Sequence, residues 1–186
     1  GLSAFALHPI YIDIAKLPEF EDVSKDKDFE KKYKDFIKKF PYDGNTRYDY
    51  DGIINAKDEL LRTIYATTTI AKSAMPSEEL TKWIKKNPWI VNYAVYKNLK
   101  HKYMQATWKS WKKQDQEVSE KEIKNRWNKD ADKKEHLFYA WTQMRAAEQF
   151  KKACDAVKKE GIIIKGDMPI LMNEDSCDAW ALPGIF

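Results

Sequence analysis

The stretch from Asp130 to Glu160 constrains this chain most. Leu137, Ala140, Trp141, Met144, Ala147, Cys154 and Val157 mark one stripe along it, and Gly161 supplies the residue at which such a helix stops. One long amphipathic helix is predicted, and its stripe has to be covered by other elements. Most of the remaining sequence offers further helices. Phe29, Tyr33, Phe36, Ile37 and Phe40 mark an amphipathic helix stopped at Pro41, and Asp43-Gly44-Asn45 reads as a turn. Leu60, Leu61, Ile64 and Tyr65 predict a second helix from about Asp51 to Met75, weakened at Thr67, Thr68 and Thr69 and closed by Pro76. Ser77 followed by Glu78 and Glu79 is an N-terminal capping signature for a short helix to Lys86. Pro88 suits the first position of the next, whose Trp89, Tyr93, Tyr96, Leu99 and Tyr103 form an aromatic face for core packing. Ser119 and Glu122 have the spacing of a capping box ahead of Ile123 and Trp127.

Two short segments break the helical pattern. Ile10 to Ile14 alternates enough to read as an extended strand, closed by Pro18. Ile162, Ile163 and Ile164 form a β-branched run that reads as a short buried strand after the glycine. Polar residues crowd the far end of that run: Gly166, Asp167 and Pro169, then Asn173, Glu174, Asp175, Ser176 and Asp178, before Trp180 and Pro183. In α/β folds ligands bind at the C-terminal ends of strands, which makes Asp167 the foremost candidate for a functional acid, against a role as cap of the turn beside Gly166. Asp175, Ser176, Asp178 and Trp180 are secondary candidates, as ligand contacts or as turn caps and packing.

Length and composition bound the class. A chain of 186 residues with 43% hydrophobic and 13% aromatic content has room for one domain with a real core. No run approaches the ~18 consecutive apolar residues of a membrane span, and no basic-then-apolar leader opens the sequence, so a cytoplasmic protein without membrane contact is expected. Cys154 and Cys177 lack CxxC spacing and read as two free thiols. The net charge of +4 comes from interspersed acids and bases, the pattern of a salt-laced helical surface rather than a nucleic-acid footprint. Trp108, Lys109, Trp111, Lys112 and Lys113 are the local exception, either a stacking platform or a helix end with tryptophans packed inward and lysines outward. His8, His101 and His136 have no metal-ligand spacing and read as surface or capping residues, and no metal is expected.

The segment from Lys165 to Phe186 resembles a stretch of the 4-α-glucanotransferases, the amylomaltase or disproportionating-enzyme family, that reads K-G-D-[LM]-P-I, then D/N-S-x-D-x-W, then P-x-[LI]-F. The matches are Gly166, Asp167, Pro169, Ile170, Ser176, Asp178, Trp180, Pro183 and Phe186. Ser3 to Ile12, SAFALHPIYI, is similar to the family's S-x-F-A-[LG]-[NH]-P-[LI]-Y-[LI]. Asn87 to Lys100 resembles its N-x-x-W-[LI]-x-x-Y-A-x-[FY]-x-x-L-K helix. Phe138, Gln143 and Gln149 are similar to an F-x-x-x-x-Q-x-x-x-x-x-Q pattern. About Val23 to Asn45 and Gln114 to Lys133 match poorly. His8, where many shorter members have Asn, resembles the long disproportionating type with starch-binding modules.

The resemblance implies a fold, an activity and a division of the chain. It implies a mainly α fragment of a (β/α)8 TIM barrel, a helical insertion subdomain with two short flanking strands: residues 1–22 as an N-terminal barrel segment, 23–161 as the insertion, and 162–186 as a barrel strand and active-site loop. It implies transfer of α-1,4-glucan segments between maltooligosaccharides with retention, through a covalent glycosyl-enzyme and without a cofactor. The nucleophilic aspartate and the acid/base glutamate are expected outside this chain, which alone should be inactive, with the remainder of the parent barrel as its partner. Asp167 would face the donor-sugar subsite; Asp175, Ser176, Asp178 and Trp180 would contact sugar or hold the loop. The competing reading is a self-contained helical module that binds a protein or nucleic acid without catalysis.

Overall fold

Six of the ten helices among the described residues begin at a side-chain cap. In the computed structural model, which describes residues 2–41, 44, 47–166 and 171–185, a short helix α1 (Phe20–Val23) precedes α2 (Lys27–Lys39). Asp26 caps α2 by accepting from the Asp28 and Phe29 N–H groups, each at 2.9 Å. The turn expected at 43–45 lies outside the described residues except for Gly44, whose φ of 73° is left-handed. The single helix expected from Asp51 to Met75 is two, α3 (Tyr50–Thr67) and α4 (Thr69–Ser73). Thr68 breaks them: its hydroxyl donates to Tyr65 O at 2.7 Å and accepts from Ala71 N at 3.2 Å, ending one helix and capping the other.

Next come α5 (Glu78–Lys86), capped by Ser77, and α6 (Trp89–Lys102). A 3-10 turn at Trp108–Ser110 and α7 (Lys113–Gln116) lead to α8 (Glu120–Trp127), where Ser119 accepts from the Glu122 N–H while the Glu122 carboxylate turns to Arg126. The long helix α9 (Asp130–Lys159) follows as predicted. It closes in a Schellman arrangement, with Gly161 at φ 75°, the Ile162 N–H on Val157 O and the Gly161 N–H on Lys158 O. A short α10 (Cys177–Ala181) ends the described chain.

α6 and α9 are the central pair. Ile90, Ala94 and Tyr96 on α6 and Leu137, Ala140, Trp141 and Met144 on α9 are fully buried, and α3, α4, α5 and α8 pack around α9. From His136 to Ala146 every residue of α9 is buried, so the stripe read from sequence widens there to the whole circumference. One core takes in Ile12, Ile14 and Leu17 near one end of the chain and Cys177 and Trp180 near the other.

Both flanking strands are corrected: no strand occurs among the described residues. Ile10 to Ile14 is spanned by two 3-10 turns, Pro9–Tyr11 capped by His8 and Ile14–Lys16 capped by Asp13. Ile162 to Ile164 runs past the helix end exposed and without a ladder partner. A strand needs a neighbouring strand for its backbone ladder, and among the described residues none lies alongside either run. The expected barrel fragment with strands at both ends is therefore an all-helical body.

Candidate functional site

The N-terminal segment is held by side chains in place of a ladder. Gln143 on α9 accepts from the Leu7 N–H through Oε1 at 2.9 Å and donates to Leu7 O through Nε2 at 2.8 Å. Two turns further along, Gln149 makes the same pair of bonds with Asp13, at 2.8 and 2.9 Å. Lys57 on α3 donates to Ile10 O and Ile12 O between them, and burial lowers its pKa. A glutamine can satisfy one N–H and one C=O at once, the task a paired strand would perform. Sequence reading singled out both glutamines as pattern matches but not this role; the signal was a polar residue, Gln143, inside the apolar stripe.

The C-terminal loop is braced in the same manner. Asp178 accepts from the Ser3 hydroxyl at 3.2 Å and from the Ala4 N–H at 2.8 Å, and the Cys177 N–H donates to Leu2 O at 2.8 Å. Ser176, fully buried, caps α10 through the Ala179 N–H. Trp180 is 1% exposed; its indole N–H donates to Asp115 O at 2.8 Å and its ring packs against Tyr96 and Trp111. Asp175 is the hub. Its Oδ1 accepts from the Tyr96 hydroxyl at 3.0 Å and the Trp108 N–H at 3.2 Å, and its Oδ2 from Lys100 Nζ at 2.7 Å. Burial works to raise the Asp175 carboxyl, but the bonds from Lys100, Trp108 N–H and Tyr96 outweigh it and hold it below the usual carboxylate range. Tyr96 moves the other way, pushed up by burial and by that carboxylate.

Asp167, the foremost sequence candidate, lies outside the described residues. Asp175, Ser176, Asp178 and Trp180 do come together, each engaged by protein groups that set the course of the loop and tie it to residues 2–4. Lys100 and Asp115, which make that bracing possible, were not singled out from sequence: each is buried where its residue type predicts solvent. Asp115 is held low despite burial by Tyr103 and Arg126, at 2.6 Å each.

Two further features bear on function. The aromatic and basic run at 108–113 is no open stacking platform. Trp111 is buried with its N–H on Ala106 O, and Trp108 donates to Glu174 O. His136 is buried, a correction to its reading as a surface or capping residue: it stacks on Trp127, meets Asn98 Nδ2 at 3.2 Å, and burial drops its pKa to about 4. Among the described residues no cluster of three or more His, Cys, Asp or Glu could hold a metal, and no helix is long and apolar enough to cross a membrane.

An all-helical body that braces both its terminal segments, one of them bearing a polar loop, is the class of structure this chain defines. The chain belongs to the 4-alpha-glucanotransferase family, whose model matches residues 1–186. It is 30% identical over 187 residues to a 4-alpha-glucanotransferase of Clostridium butyricum, covering 100% of this chain and 36% of that protein. It is 25% identical to one of Chlamydia caviae, over 97% of this chain and 32% of the relative, and 29% identical to one of Synechocystis sp., over 76% and 28%. The chain thus spans about a third of the length of these relatives.

Proposed function

We propose that this chain is the helical body of a 4-alpha-glucanotransferase that moves α-1,4-glucan segments between maltooligosaccharides with retention, through a covalent glycosyl-enzyme. The observation that carries the reading is the family match over all of residues 1–186. On this reading residues 162–186 are the segment nearest the substrate, and Asp167 supplies the acid that faces the donor sugar. Asp175, Ser176, Asp178 and Trp180 fix the loop that follows in sequence, since their polar groups are already taken by Lys100 and Tyr96, the Ala179 N–H, Ser3 and Asp115 O respectively. The nucleophile and the acid/base are assigned to residues other than these 186, so the 186-residue chain by itself should not disproportionate maltotriose. A reducing, cytoplasmic setting fits the free thiols Cys154 and Cys177, and His8 fits the long type with starch-binding modules.

The test is Asp167→Asn in the complete enzyme. The change preserves shape and removes charge, and a charged hydrogen bond is worth about 1.5–3 kcal/mol, so turnover on maltotriose should fall at least tenfold. Unchanged turnover with a lowered melting temperature would make Asp167 a turn cap instead. The run at 108–113 gives the alternative of a nucleic-acid module no open stacking platform, as Trp111 is packed inward.

A further inference from the structure

Lysines withdrawn from solvent in this chain are tied to oxygen atoms, with one exception. Lys57 donates to Ile10 O and Ile12 O, Lys100 to Asp175, Gln105 O and Ala106 O, and Lys133 to Trp127 O at 3.3 Å. Lys97 on α6 is the exception. Its side chain is half-buried, yet among the described residues no acceptor lies within hydrogen-bond or ion-pair reach of its ammonium. What it meets is the Tyr139 ring on α9, with Nζ 5.7 Å from the centroid, near the far limit of a cation–π contact.

The acids close to Lys97 are already taken. Arg62 on α3 holds Asp58 through Nε at 2.7 Å and both oxygens of Glu135 at 2.8 and 3.0 Å. Burial lowers the Lys97 pKa, Arg62 and Lys100 add to that, and Asp58 and Glu135 work against it. His8 on the N-terminal segment is a further neighbour, lowered first by its own burial and then by the Lys97 charge. A cation withdrawn from water without a partner is poorly housed, and any change that leaves the nitrogen neutral relieves it. The unprotonated amine is also the nucleophile, and desolvation is one of the ways a lysine is activated.

We infer that Lys97 is an acylation site, the amine of this chain that takes a short acyl group from a thioester donor. The Lys97 nitrogen adds to the thioester carbonyl carbon, the C–S bond breaks, and the departing thiolate takes up the proton that the nitrogen sheds, leaving a neutral amide and a free thiol. Lys57, Lys100 and Lys133 are held out of this chemistry, because their bonds to oxygen fix the protonated form. Exposed lysines stay protonated in neutral water. The inference is independent of the functional reading above, since no glucan takes part.

Limited acetylation of the folded protein by a small uncharged thioester, S-acetyl-N-acetylcysteamine, tests it, with the modified lysines located by peptide mass spectrometry. Near neutral pH Lys97 should react at least about fivefold faster than the exposed Lys86 and Lys121. Its rate should reach a plateau at lower pH in the folded protein than in urea, where the advantage should vanish. Asp58→Asn, at an exposed position, removes one pull on the ammonium and should raise the rate further. Arg62→Gln frees Asp58 and Glu135 to hold Lys97 and should cut its advantage; if that variant fails to fold, Asp58→Asn carries the comparison alone. Equal rates at Lys97 and the two exposed lysines would overturn the proposal. So would an advantage that survives in urea, or one that Asp58→Asn leaves unchanged.

Discussion

Gln149 and Asp13, 136 residues apart, are joined by two hydrogen bonds in the pattern of a paired strand: the Asp13 N–H donates to Oε1 at 2.8 Å and Nε2 donates to Asp13 O at 2.9 Å. Gln143 repeats the pattern on Leu7 in the more buried setting. A segment whose 3-10 turns satisfy only part of its backbone is in this way docked without a sheet.

The two clips should differ in value. Gln143→Leu leaves a part-buried N–H and C=O of Leu7 without partners and should cost about 2–3 kcal/mol, the penalty for stranded buried polar groups. Gln149→Leu, where water reaches Asp13, should cost about 1 kcal/mol or less. Urea unfolding of both variants checks the order; equal costs would mean that the clips do not hold the segment.

Asp175 should matter through Lys100. Lys100 is 3% exposed and its Nζ meets Asp175 Oδ2, Gln105 O and Ala106 O at 2.7, 2.9 and 3.0 Å. Asp175→Ala removes the carboxylate that Lys100 meets and should destabilise by about 3 kcal/mol, while Asp175→Asn, which keeps an acceptor for Tyr96 and Trp108, should cost about half as much. The folded-state pKa of Asp175 is depressed, so its contribution is present above the ordinary carboxylate pKa and is lost as pH falls through the lower folded value. The acid limb of a stability profile below about pH 4 should accordingly flatten in Asp175→Asn.

His136 gives a second pH window. Burial lowers its pKa from 6.5 to about 4, so the unfolded chain takes up a proton that the folded chain refuses. The stability it confers is whole above pH 6.5 and drains away as pH falls toward 4, by up to about 3 kcal/mol. Denaturant midpoints between pH 7 and 4.5 should show the slope in the parent chain and lose most of it in His136→Gln, with Trp127 fluorescence reporting the ring stacked on it.

Trp180 anchors the C-terminal loop. Trp180→Ala should cost about 3–5 kcal/mol, the range for removing a large buried aromatic. It should also speed amide exchange at Cys177, whose N–H is bonded to Leu2 O. Trp180→Phe keeps most of the packing and strands only Asp115 O, so it should cost about 1–2 kcal/mol. If Trp180→Ala melts like the parent, the loop is not held by its tryptophan.

Helix limits were legible because their causes are local. Ser77, Ser119 and Gly161 act within four residues of themselves, through a cap or a left-handed turn, and Pro41 and Pro76 act on their immediate neighbours. The break at Thr68 was half legible, as a run of poor helix formers whose capping bonds only the fold displays. The polar loop from Asn173 to Asp178 was visible as a cluster, but whether its acids face a ligand or the protein depends on residues as distant as Ser3 and Lys100.

Strand character was where local reading failed. An alternating or β-branched segment states only that it would fit a sheet, and the sheet has to be supplied by other chain. Here what lies against residues 7–13 is the side of α9, which offers side-chain amides, and of α3, which offers Lys57, and among the described residues no strand pairs with Ile162 to Ile164. The sequence by itself determined the longer helices, the Ser77 and Ser119 caps and the apolar faces, since each follows from interactions within a turn or two of the chain. Tertiary structure alone decided which polar groups became braces and which apolar face was left open, because both depend on which surfaces meet across more than a hundred residues.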